Sequence, residues 1–245
     1  MADRDPRSSI LDPRPRFVEK TYCVPGCLSS IRQSRRCSHA DALFQSWRLF
    51  LGLSYRSLRN RRALRGKADP LAKGEQKTQA YLKVNPRGKV PALSVDGKII
   101  TQNTAILTYL ARRFAEKKLM RSDPVEEARS IATMAWFPNI VHPSYQRCKR
   151  PEHFAEGEAA QATVKETGRK SFWANCQEID SMLQGKDWIM GSQYTLADAY
   201  ALVFYGWGAR SGLPMNELSA YTAWRERMLK RPAVRKIVEA EQNVS

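Results

Sequence analysis

Two runs near the middle of the chain hold the residues best placed for chemistry: Lys89-Val90-Pro91-Ala92-Leu93 and Gln102-Asn103-Thr104-Ala105-Ile106-Leu107. Proline has no N–H to give a β-ladder, so a strand running into Val90-Pro91 should end there. A retained cis bond before proline is a costly feature usually tied to a site. Asp96-Gly97, between the two runs, is a hairpin-turn pair. The second run opens a helix with the polar pair Gln102-Asn103, and Asn103 has a capping side chain. A helix N-terminus offers unpaired N–H groups and the positive end of a dipole. The chemistry on offer is the holding of a carboxylate beside a strand.

Other reactive residue types are sparse. The five cysteines stand at irregular spacing and do not suggest a disulfide framework, so a reducing cytoplasm is the expected compartment. Cys23 and Cys27 have three residues between them, not the two of a thioredoxin redox pair. The three histidines are not paired at metal-ligand spacing, and no zinc, P-loop or Rossmann signature occurs.

The elements that must position these residues are legible on both sides. Ile106, Leu110 and Phe114 form an apolar helical stripe with Ala105 and Tyr109 beside it, and Arg112-Arg113 suit the helix end. Asp123 as cap, Pro124 at the first helical position and Glu126 three after the cap start another helix. It runs toward Trp136, where Pro138 and Pro143 should kink or break it. A long helix is expected over 157–183, with Phe172, Cys176, Ile179 and Leu183 on one face. Thr195-x-x-Asp198 reads as a capping box with Asp for Glu, and Tyr194 could add a hydrophobic staple. The helix from Leu196 to Trp207 is apolar almost all round, so it should be central and buried. Pro214 and Pro232 punctuate two closing helices, the first carrying Trp224 and Met228.

A chain of 245 residues suffices for one large domain or two small ones. No stretch approaches a membrane span, and the charged, Pro-rich start lacks an apolar signal core. The net charge of +17 is uneven: residues 1–90 hold 20 basic and 7 acidic residues, and residues 91–245 hold 21 and 17. Between Arg32 and Lys67 there are ten basic residues and one acid, Asp41, with neither helical nor strand periodicity.

The run Asn85-Pro86-x-Gly88-x-Val90-Pro91-Ala92-Leu93, the Asp-Gly turn and the Gln102-Asn103 pair resemble the glutathione-binding half of a glutathione transferase, here a bacterial, beta-like one. Thr195-x-x-Asp198 resembles the capped core helix of that family's second domain. The resemblance covers 66–245 well, 20–27 fairly and 28–65 poorly. It implies an α/β thioredoxin-like N-terminal domain followed by an all-α C-terminal domain. Residues 1–19 would be an extra tail, 20–115 the glutathione-binding domain and 123–245 the helical domain.

It further implies that Val90-Pro91 is cis, with the Val90 backbone pairing the cysteinyl part of glutathione, and that Gln102 and Asn103 hold the γ-glutamyl end. Lys89 could pair with a glutathione carboxylate. His142, in His142-Pro143-Ser144-Tyr145, resembles the segment that some bacterial members place beside the site. Tyr22-Cys23-Val24-Pro25-Gly26-Cys27 resembles the first strand and catalytic turn, with Cys27 the leading thiol-activating residue and Ser29 or Ser30 as substitutes. Aligned strictly on Pro25-Gly26, the family's cysteine falls on Leu28. Tyr145, Trp136 and Trp207 are candidates for the electrophile pocket or for core packing.

The implied reaction is attack of the glutathione thiolate on a small electrophile, or a related reduction or isomerisation, by a cytoplasmic homodimer serving detoxification. Two rivals stay open. One is a non-catalytic glutathione-transferase-like binding or scaffold protein. The other is a nucleic-acid or anionic-surface binder using the Arg-rich segment, although stacking aromatics at a suitable spacing are missing there. Residues 28–65 read either as an out-of-frame translation of a normal first helix and second strand or as a divergent basic segment.

Overall fold

The computed structural model describes residues 19–22 and 75 by backbone alone, and residues 74–232, 234, 235 and 238. Cys27, Ser29 and the whole of 28–65 lie outside the described residues.

Strands β1 (Glu19–Tyr22), β2 (Ala92–Val95) and β3 (Lys98–Thr101) form an antiparallel sheet in that order. Tyr22 pairs with Ala92 across one edge of β2, and Ala92 with Thr101 across the other. Asp96 and Gly97 both turn through the left-handed region, at φ 49° and 80°, as a two-residue hairpin of this kind requires. The expectation of a strand ending at Val90-Pro91 is corrected, because β2 begins after it. Pro91 has no N–H to donate, and Ala92 is the next residue that has one.

A short helix, α1 (Gln79–Leu82), precedes the Val-Pro bond, and α2 (Asn103–Arg113) follows the hairpin. The stripe on α2 divides between two cores. Ile106, Leu110 and Phe114 pack with Leu93 under the sheet, whereas Leu107 and Ala111 join the larger helical core. The Thr104 hydroxyl donates to the Met134 carbonyl at 3.1 Å, tying the start of α2 to the next helix.

That helix, α3 (Pro124–Trp136), is capped by Asp123, which accepts from the Val125 and Glu126 N–H groups at 3.0 Å each. The regular helix ends before Pro138. The chain widens into a π-helical turn, Phe137–Val141, and resumes as α4 (His142–Lys149). A wider turn accommodates a proline that cannot make the usual bond to the carbonyl four residues back.

The long helix α5 (Glu158–Leu183) buries Phe172, Cys176, Ile179 and Leu183, as the spacing predicts. It meets α4 at Gly168, where a Cβ would fall 2.6 Å from Arg147 Cβ and from the Cys148 nitrogen. The two helices can approach that closely only because Gly168 has no side chain. Cys148 and Cys176 are both free and buried, and burial pushes the Cys176 thiol up to about 12. Cys176 is therefore not a working nucleophile near neutral pH.

The central helix α6 (Leu196–Arg210) extends one turn past the expected end at Trp207, and α7 (Ser219–Leu229) buries Tyr221, Trp224 and Met228. Asp198 joins them. It accepts from the Thr195 N–H at 2.8 Å, the Ile189 N–H at 2.9 Å, the Trp224 indole at 3.0 Å and the Thr195 hydroxyl at 3.2 Å. Burial raises the pKa of this carboxyl, and its four donors pull it back toward the ionised form. Tyr194 packs edge-on to Trp188 under the Arg231 guanidinium. No described helix is long and apolar enough to cross a membrane.

Candidate functional site

The Val90-Pro91 peptide is cis, and both residues are half-buried at the entrance to β2. Two side chains that sequence reasoning passed over hold this loop. The Tyr81 hydroxyl and the Asn85 amide both donate to the Lys89 carbonyl, at 2.7 and 2.6 Å. Tyr81 is fully buried, so its hydroxyl is a fixed donor on α1. Gly88 turns at φ 57°, and a Cβ there would meet the Gln76 carbonyl at 3.1 Å. Asn85-Pro86, four residues before Lys89, was the available signal for this clamp. Doubly engaged, the Lys89 carbonyl fixes the backbone leading into Val90, and the Lys89 ammonium remains exposed.

The polar pair departs from expectation. Gln102, not Asn103, occupies the N-cap of α2, at φ 71°, and makes no side-chain capping bond. Asn103 is the first helical residue. Its amide nitrogen lies 3.4 Å from the Tyr200 hydroxyl, and its Oδ1 is buried without a hydrogen-bond partner among the described residues. Capping is therefore not its role. A side-chain amide turned inward at a helix N-terminus, with unused hydrogen-bonding capacity, is suited to a ligand.

His142 opens α4 and lies across from the Val-Pro loop, close enough to Lys89 to feel its charge. Burial, and then the Lys89 ammonium, lower the His142 pKa from the ordinary 6.5. Its Nε2 lies 2.9 Å from the Gln146 amide nitrogen, which fits a neutral ring accepting from Gln146. The imidazole also leans on Trp207, with centroids 5.2 Å apart, and Trp207 stacks on Tyr145 at 4.2 Å and 19°. Both rings are half-buried; Trp136 packs instead against Phe137 at 5.4 Å.

The histidine shift sets a pH dependence. A folded-state pKa below the unfolded one means that the unfolded chain binds the proton first. The neutral His142 form is therefore fully accommodated above about pH 6.5, and stability falls as pH drops through that value. Replacing His142→Gln is expected to flatten this part of the acid limb of a Tm-against-pH profile, and an unchanged slope just below about pH 6.5 would contradict it.

Among the described residues no cluster of His, Cys, Asp and Glu could hold a metal ion. The site thus combines a clamped cis Val-Pro loop, an open polar helix start and a neutral histidine on an aromatic face.

Comparison with known proteins agrees with this geometry. Residues 68–112 match the model of the glutathione S-transferase N-terminal domain, and residues 130–232 that of the C-terminal domain. The chain is 31% identical over 166 residues to glutathione S-transferase GST-4.5 of Xanthomonas campestris pv. campestris, covering 67% of this chain and 81% of that one. It is 31% identical over 132 residues to maleylacetoacetate isomerase of Pseudomonas aeruginosa, covering 52% and 60%. A sphingomonad glutathione S-transferase solved with glutathione superposes with a TM-score of 0.59 at 29% identity, over 68% of this chain and 80% of that one. The architecture is accordingly thioredoxin-like plus all-α, and the chain belongs to the glutathione S-transferase family.

Proposed function

We propose that this chain binds glutathione at the Val90-Pro91 loop and α2, and joins the glutathione sulfur to a small electrophile. The cis Val-Pro bond, clamped through the Lys89 carbonyl and set beside an open helix start, carries this reading. The fixed backbone at Val90, just before β2, supplies the N–H and C=O for the cysteinyl part. Gln102 and Asn103, with the free N–H groups of α2, hold the γ-glutamyl carboxylate and amine. Lys89, next to Val90 in the loop, is within reach of a second carboxylate, and His142 stands on the facing side. The sphingomonad relative solved with glutathione supports this choice of ligand.

The reaction proceeds through the thiolate, the only nucleophilic form of the thiol. A carbon–sulfur bond forms at the electrophilic carbon, the leaving group departs with its electron pair, and the thiol proton passes to solvent. Cys27, or Ser29 in its place, is the group assigned to stabilise the thiolate. The likeness to a maleylacetoacetate isomerase favours a second form of the chemistry, in which the thiolate adds to a conjugated double bond and leaves again after rotation. The domain division at 20–115 and 123–245 follows the same reading. So does a homodimer, whose surface would be the open groove along α2 and α3 lined by Thr108, Tyr109, Arg112 and Ile131.

The test is direct: glutathione consumption with a panel of aryl halides and conjugated ketones. Turnover above the uncatalysed rate that is abolished in Cys27→Ala is expected. Saturable glutathione binding without turnover of any compound would instead identify a binding protein.

A further inference from the structure

Beside the glutathione loop stands a face the transfer reaction leaves unassigned. Its floor is aromatic: Tyr145 and Trp207 lie stacked at 4.2 Å, with His142 tilted against Trp207. One turn beyond Trp207, Arg210 lays its guanidinium back along α6 over Gly206. A Cβ at Gly206 would lie 3.3 Å from Arg210 Nη1, so the glycine makes room for this placement. The charge reaches the aromatic floor, since Arg210 draws down the Tyr145 hydroxyl pKa against the larger, opposite effect of burial.

Arg210 is exposed and has no ion-pair partner among the described residues. The segments that carry Lys89, His142, Tyr145, Trp207 and Arg210, residues 84–95, 128–151 and 199–216, contain no Asp or Glu. Helix α5, which meets Tyr145 at Phe172, carries Glu166, paired with Lys170. Lys89 stands at one end of the face and Arg210 at the other. A flat π surface between two cations is complementary to a flat, conjugated anion. Offset stacking takes the ring, and the planar guanidinium takes a carboxylate through two parallel N–H donors.

We infer that this face receives the second substrate and selects a planar conjugated electrophile bearing a carboxylate, with Arg210 as the residue that takes the acid group. The inference rests on the thiol-transfer reading and adds the substrate class to it. The two cations are not redundant: Lys89 serves the thiol ligand, and Arg210, beyond Trp207, serves the acceptor.

The test compares 4-chloro-3-nitrobenzoate with 4-chloro-3-nitrobenzamide as acceptors for glutathione. With either compound the sulfur bonds to the ring carbon carrying chlorine, chloride leaves with the bonding pair, and the thiol proton goes to solvent. Each kcat/KM is divided by the uncatalysed rate constant, which removes the different ring activation of the two groups. The acid is expected to be preferred by about tenfold, the size of one charge-assisted contact. Arg210→Gln should bring the ratio close to one, and Arg210→Lys should keep part of it. In parallel, calorimetric titration of 2-naphthoate and 2-naphthamide reads the same preference without turnover. If neither nitro compound reacts but naphthoate binds more tightly and loses that advantage in Arg210→Gln, the transfer reading fails and the acid-binding face stands. Equal handling of acid and amide in both assays overturns the inference while transfer stands. An acid preference that survives Arg210→Gln also overturns it.

Discussion

Replacing Asp198→Ala should cost this protein about 4 kcal/mol, enough to remove much of the stability of an ordinary domain. The carboxylate is fully buried at the first turn of α6 and satisfies four donors from three parts of the chain. Alanine would leave the Ile189 and Thr195 N–H groups and the Trp224 indole facing a dry cavity. An unmet buried donor costs far more than the net gain of an ordinary hydrogen bond. Asp198→Asn is expected to fall between the two. Its oxygen can still accept from one side, but its NH2 group then opposes donors on the other. Urea unfolding of the three proteins would measure this order, and equal midpoints for the wild type and Asp198→Ala would show that the network is not coupled to global stability.

A second substitution should separate function from stability. Asn103→Ala is expected to weaken glutathione binding about tenfold or more, at little or no cost in Tm. The buried Oδ1 has no partner among the described residues, and the contact of the amide with the Tyr200 hydroxyl is long, at 3.4 Å. Truncation therefore removes a poorly satisfied polar group and places a better helix former in the first turn of α2. On the proposed reading the same side chain supplies hydrogen bonds to the charged γ-glutamyl end when glutathione binds. Calorimetric binding and thermal melting of the same samples test the two halves together. A large loss of Tm with affinity unchanged would make Asn103 a structural residue.

The features legible in the sequence are those whose chemistry is local. Asp96-Gly97 demands left-handed backbone at two adjacent residues, and little else does that as readily. Asp123-Pro124 carries its cap and its first helical residue side by side. Thr195-x-x-Asp198 announces a helix start from four residues, although the bonds from Ile189 and Trp224 to Asp198 could not be read, because those donors come from other elements. The Tyr81 and Asn85 clamp on the Lys89 carbonyl is hidden for the same reason. It depends on where a short helix places one hydroxyl, and no periodicity reports that.

One expectation failed by a single position. Asn103 looks like a cap by residue type, but the chain enters α2 through Gln102 at φ 71°, which moves Asn103 inside the helix. Pro138 should kink or break the helix, and the regular helix does end before it, in a π turn that leads on into α4. Arg210 carries no signal of its own, because a lone arginine after an apolar helix is ordinary. Its meaning comes from Gly206 one turn back and from the aromatic floor that Trp207 of the same helix forms with Tyr145 of α4.

The N-terminal family match begins at residue 68, so the basic segment 28–65 and the Cys27 turn lie before it. Whether glutathione binds this chain is therefore the central question. The most direct test is the thermal midpoint of the full chain with and without millimolar glutathione, alongside Val90→Asp, which sets a negative charge against the ligand's carboxylates. Glutathione at ~100 times its dissociation constant should add about 2.7 kcal/mol of stability to the wild type, a rise of several degrees, and little to the variant. A cooperative melt that glutathione does not move would contradict the account.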